Sequence, residues 1–63
     1  MRYFVARHEA QYFQTALDGL EDLVSTGIEE GATPKGGVSI AAYFDSATER
    51  TWYTAAQAMV VED

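Results

Sequence analysis

The chain has 63 residues, ten of them acidic against four basic, with one histidine, no cysteine and a formal net charge of −6. At this length folding buries only about 60% of the surface that the unfolded chain exposes, so one core is the most it can build, and the missing cysteines exclude disulfides as reinforcement. A pI near 4.4 opposes direct binding to nucleic acid or to an anionic membrane and favours a basic protein surface as partner. Apolar residues make up 48% of the chain and aromatic ones 13%, enough to favour collapse over disorder.

In chain order, Arg2 to Arg7 is an aromatic and branched run with a charge at each end, which predicts a first strand. The run is too short for the core of a signal peptide or for a membrane span. With the absence of cysteine this points to the cytoplasm. From Ala10 the period changes: Ala10, Phe13, Ala16, Leu17, Leu20, Leu23, Val24 and Gly27 recur at three- and four-residue spacing and predict an amphipathic helix. Thr15 with Asp18 resembles a capping box, which would delay its start to Ala16. Gly19 interrupts it either as an accident or to let the sheet approach closely. Gly27 to Gly37 holds four glycines and the only proline and is expected to be a mobile loop.

Val38, Ile40, Ala42 and Phe44 alternate with Ser39, Ala41 and Tyr43, which predicts a second strand with one face buried. The polar stretch Asp45 to Arg50 followed by Thr51-Trp52-Tyr53-Thr54 predicts a hairpin. Ser46 with Glu49, followed by Trp52, Ala55, Ala56, Met59 and Val60, offers a second helix as the competing possibility. The tail Ala55 to Asp63 either continues the third strand or forms a short helical turn capped by Thr54. The expected architecture is α+β: a single domain with one amphipathic helix packed on a small, mainly antiparallel sheet, in the order β-α-β-β.

Catalytic chemistry finds few residues to carry it. A zinc site would need His8 with three carboxylates. His8 and Glu9, adjacent on a strand, point to opposite faces and cannot pair as base and orienter, so His8 is expected to be a surface residue at a strand end. Ser25, Ser39 and Ser46 lie in no nucleophile-elbow pattern, and Gly31 to Gly37 lacks the Gly-Lys-Ser/Thr ending of a phosphate loop. No catalytic residue, metal ligand or cofactor-binding residue is assigned.

Charge placement is more informative. Between Arg7 and Lys35 there is no arginine or lysine, while Glu9, Asp18, Glu21, Asp22, Glu29 and Glu30 all fall there. At about 100° per residue, Asp18, Glu21 and Asp22 gather on one helix face opposite Phe13, Leu17, Leu20 and Val24. An outward helix face is ordinarily charged, and early acids suit the helix dipole. Like charges at this spacing nevertheless repel one another, and a face serving solubility alone would mix signs. The candidate partner-binding residues are therefore Asp18, Glu21, Asp22, Glu29 and Glu30. Phe4, Phe13, Phe44 and Trp52 are expected to fill the core, which leaves the tyrosines, Tyr12 and Tyr43 foremost, as candidates for a second contact surface.

A short acidic chain with an Arg2 to Arg7 strand, an Asp18/Glu21/Asp22 helix and a Val38 to Tyr53 hairpin resembles the small phage-encoded anti-CRISPR proteins of the DNA-mimic kind. The resemblance implies a non-enzymatic inhibitor in the host cytoplasm. Its carboxylates would replace target phosphates in the basic DNA-binding groove of a CRISPR effector complex, with a type I complex among the candidates. Lys35 and Arg50 depart from a purely acidic mimic. The alternative is a homo-oligomeric or adaptor module, a homodimer included, that binds through a tyrosine-rich sheet face.

Overall fold

Two periods in the sequence become two layers. The computed structural model, which describes residues 1–62, has strand β1 (Arg2–Ala10), helix α1 (Phe13–Glu29), strand β2 (Ala32–Asp45) and strand β3 (Arg50–Val61). The fold is α+β in the order β-α-β-β. The strands form one antiparallel sheet ordered β1-β3-β2, so the last strand is central and the first two are its edges. Strand alternation sends Tyr53, Ala55, Gln57, Met59 and Val61 toward the helix. The register aligns them with Phe4, Ala6, His8 and Ala10 of β1 and with Ala32, Pro34, Ile40 and Ala42 of β2.

Among the described residues the buried apolar core consists of Ala6, Ala10, Ala16, Leu20, Ala32, Ala55 and Met59. Alanines on both layers let the helix lie close to the sheet, and Leu20 with Met59 fills the centre. The expectation that Phe4, Phe13, Phe44 and Trp52 would form this core is corrected. Phe4, Phe13 and Phe44 are exposed and Trp52 is only half-buried. Phe13 instead makes an edge-on contact with Tyr53, ring centroids 6.0 Å apart, at the rim of the core.

Several boundaries move for identifiable reasons. β1 continues past Arg7 to Ala10 because β3 offers it partners as far as Tyr53. The helix starts at Phe13, between the two predicted starts. Tyr12 is its N-cap with extended backbone and no side-chain cap, and its carbonyl accepts the Ala16 N–H at 3.0 Å. Thr15 and Asp18 therefore lie inside the helix and form no capping box.

The expected loop from Gly27 to Gly37 is largely absent. The helix runs to Glu29, the chain reverses at Glu30 and Gly31, and β2 begins at Ala32. Gly31 takes a left-handed φ of 97° there, a conformation that costs glycine nothing. Gly36, with φ 76°, and Gly37 belong to a bulge in β2 between Lys35 and Ser39. Pro34 is accommodated because β2 is an edge strand.

The hairpin forms and the competing second helix does not. Asp45 Oδ1 accepts the Ala47 N–H at 3.0 Å, and Glu49 takes φ 57° as the chain turns into β3. The tail continues the strand to Val61 with no helical turn, because both edges pair with it along its length. Asp63, the end of the predicted tail, lies outside the described residues.

Two polar residues owe their positions to the packing. His8 is half-buried rather than a surface residue at a strand end, and its ring packs under the helix where Gly19 has no side chain. A Cβ at Gly19 would overlap the imidazole, so the glycine permits close approach of the sheet. Gln57 is buried on the central strand. Its amide donates to the carbonyls of Lys35 at 3.1 Å, Gly36 at 3.2 Å and Ala58 at 3.1 Å, which holds the bulge of β2 in place.

Candidate functional site

The decisive geometry is where the helix lies across the sheet. α1 packs chiefly over β1 and β3. Phe13 meets Tyr53 and Gly27 lies beside Met59, Phe4 and Ala32, so along the strands it spans the rows from Ala42 to Pro34 but leaves edge strand β2 to its side, with Phe44 and the hairpin end beyond it. The chain is elongated, with extents of 44 × 17 × 17 Å. Val38, Ile40 and Phe44 lie on the helix side of β2 as their alternation requires, but they remain 52%, 43% and 63% exposed. The expectation of a buried face on this strand is corrected: the faces are right and the cover is missing.

These side chains continue into an open groove of about 450 Å³ between α1 and β2. Leu17, Leu20, Val24, Pro34 and Val38 make its apolar lining, Glu21 and Ser25 lie at the helix side, and Gln57 at its floor. From Val38 to Phe44 the edge strand carries no charge, proline or glycine, and its outer side pairs with no other strand. Of this segment the sequence had marked Tyr43 alone, as a candidate contact residue on a tyrosine-rich face.

The acidic candidates divide by location. Asp18, Glu21 and Asp22 are all exposed on α1, and Asp18 Oδ1 accepts a hydrogen bond from Gln14 Nε2 at 2.9 Å. Glu29 closes the helix and Glu30 is its C-cap, where negative charge opposes the helix dipole. No acidic residue lies in the first turn, so the dipole does not account for the ridge. Glu30 borders a shallow hollow with Arg2, and Arg50 donates to Gln11 Oε1 at 2.7 Å.

The tyrosines do not form one surface either. Tyr12 is exposed at the helix start, Tyr53 lies on the helix side, and Tyr3 and Tyr43 share the open face of the sheet with Trp52. On that open face the Tyr43 hydroxyl donates to Glu9 Oε2 at 2.9 Å, and Thr54 Oγ1 donates to the same oxygen at 3.3 Å, linking all three strands. The hydrogen bond to Glu9, then desolvation and the charges of Glu9 and Asp45, raise the Tyr43 phenol above its ordinary value. A phenol held protonated is a poor nucleophile or base at neutral pH, and His8 lies on the other face. Among the described residues, no group of three or more His, Asp or Glu gathers where it could hold a metal ion, and no helix is long and apolar enough to cross a membrane.

No protein-family model, curated protein or solved structure matches this chain.

Proposed function

We propose that the chain is a non-enzymatic, self-associating interaction module. The observation that carries this reading is the inversion of its apolar residues: alanines dominate the buried core, while Val38, Ile40 and Phe44 stand exposed along one uncovered stretch of sheet. A domain of this size without disulfides is ordinarily reinforced by a metal or a second subunit. Its accessible surface of 4533 Å² exceeds the roughly 4,000 Å² of a compact monomer of 6.9 kDa. The excess is the same order as the roughly 800 Å² that each partner contributes to a stable interface.

Sedimentation velocity and light scattering across micromolar concentrations test the proposal. A mass of two or more chains is expected. A monomer throughout the range, folded by circular dichroism, overturns the reading.

The acid ridge supports a second reading, because Asp18, Glu21 and Asp22 are fully presented and the helix dipole does not explain their placement. Here the chain is an anti-CRISPR-like inhibitor whose carboxylates occupy the basic DNA-binding groove of a CRISPR effector. Capture of an effector by the wild type, lost in a folded D18N/E21Q/D22N variant and competed by target DNA, would support it. Capture that is indifferent to these three charges would sink it. The two readings are compatible, since a dimer would carry two ridges.

A further inference from the structure

We infer that the second copy docks edge to edge on β2, with Val38–Phe44 of each protomer pairing antiparallel about a two-fold axis at Ala41. This rests on the self-association proposed above and adds its surface, direction and register.

Three observations converge on this edge. An outer strand presents a row of backbone N–H and C=O groups, and such edges are normally guarded by charges, proline, bulges or a covering element. In β2 the guards lie upstream: Pro34, Lys35 and the bulge at Gly36–Gly37 protect the first part of the strand. Nothing of the kind interrupts the seven residues from Val38 to Phe44, and the helix-side residues Val38, Ile40 and Phe44 among them stay exposed. The opposite edge is different, since β1 carries Arg2, Arg7 and Glu9 within nine residues.

The partner is argued from self-complementarity. The chain has a net charge of −6, so two copies repel unless they meet where charge is absent, and this window is uncharged. A two-fold axis perpendicular to the sheet keeps the helix-side faces together, which requires residues of like alternation to pair. Centring the pair on Ala41 aligns the whole window with itself. Val38 faces Phe44 of the second copy, Ser39 faces Tyr43, and Ile40 faces Ala42. Shifts from this register bring Gly37 or Asp45 into the ladder. The product is a six-stranded sheet with both helices on one side, in which the exposed apolar side chains of the two copies cover one another across the junction.

The absence of cysteine makes the test clean. In an antiparallel pair, facing Cα atoms are about 4.5–5.5 Å apart, within the roughly 4.4–6.8 Å that a disulfide spans. Ala41→Cys should therefore form a linked dimer at low micromolar concentration under mild oxidation. Ser39→Cys, on the same face but facing Tyr43, should not, because the two cysteines would lie four residues out of step. Val5→Cys on the β1 edge serves as the control for random collision.

As a second measurement, Ile40→Lys should weaken self-association on the order of a hundredfold, by burying a charge in the apolar junction beside Ala42 of the second copy, with circular dichroism unchanged. If the protein is a dimer by sedimentation, yet Ala41→Cys links no faster than Val5→Cys and Ile40→Lys dimerises normally, the edge assignment falls while self-association stands. If Ser39→Cys links and Ala41→Cys does not, the register is wrong. A monomeric wild type removes both proposals.

Discussion

The two edges of the sheet pair with the same central strand and end in opposite chemistry. β1 is short, tucked against α1 through Ala6, His8 and Ala10, and carries charges at Arg2, Arg7 and Glu9. β2 lies to the side of the helix, is guarded only as far as its bulge, and is uncharged from Val38 to Phe44. The comparison teaches that surface polarity in this chain is distributed by position rather than by overall acidity: ten carboxylates leave one strand without a charge along half its length. An acidic protein can thus still present an uncharged, apolar line.

The largest expected perturbation removes what the edges share. Met59 lies between Phe4 of β1 and Pro34 of β2 in the register and is fully buried, so Met59→Ala should cost about 2–5 kcal/mol. Urea unfolding should show the loss, and hydrogen exchange should rise in both edges together. A selective effect on one edge would show that they are not coupled through the core.

A smaller change separates them. Gly19→Ala should destabilise by about 1–3 kcal/mol despite the better helix propensity of alanine, because the new methyl group displaces the His8 ring. The cost should largely vanish in a His8→Ala background, and that double-mutant cycle is the discriminating measurement. The complementary change is Gln57→Leu, expected to cost about 1–2 kcal/mol by freeing the Lys35 and Gly36 carbonyls. Exchange should accelerate around the bulge of β2, with β1 little affected.

The smallest effect concerns the link across the open face. A phenol raised in the folded state contributes stability that is present below its ordinary titration range and is lost as pH rises through the raised value. Tyr43→Phe should abolish that alkaline dependence, and Glu9→Gln should reduce it. Ultraviolet titration of the wild type and the two variants checks the sign: an unchanged highest-titrating tyrosine in Glu9→Gln would separate the shift from its assigned cause.

Much of this organisation was readable from residue periods alone. The three- and four-residue spacing from Ala10 to Gly27 and the alternation from Val38 to Phe44 gave a helix and a strand in their correct order, because both patterns are local, although Ala10 itself belongs to β1. The glycines misled. Gly31, Gly36 and Gly37 looked like one loop, but only Gly31 reverses the chain, and the other two make a bulge whose existence depends on Gln57 from a strand twenty residues away. The aromatic core also failed as an expectation, since hydrophobicity says which residues prefer burial and not where across the sheet a single helix will lie. The acid ridge was legible as a helix face. The uncovered edge was not, because it arises from the placement of the helix over β1 and β3.

The central strand is also the last of the three in chain order. Both ladders of the sheet, from Arg2↔Val61 to Asp45↔Arg50, need residues that leave the ribosome after everything else described here. Translation proceeds at roughly 5–20 residues per second, so β2 waits on the order of a second and β1 roughly 2–8 seconds for their ladder partner, while α1 can form from local contacts. The uncharged stretch of β2 therefore stays without its ladder partner until the rest of the described chain has been made. Pro34, which has no N–H to donate, and Lys35 already interrupt the strand at that stage, whereas the bulge forms only against β3 and Gln57.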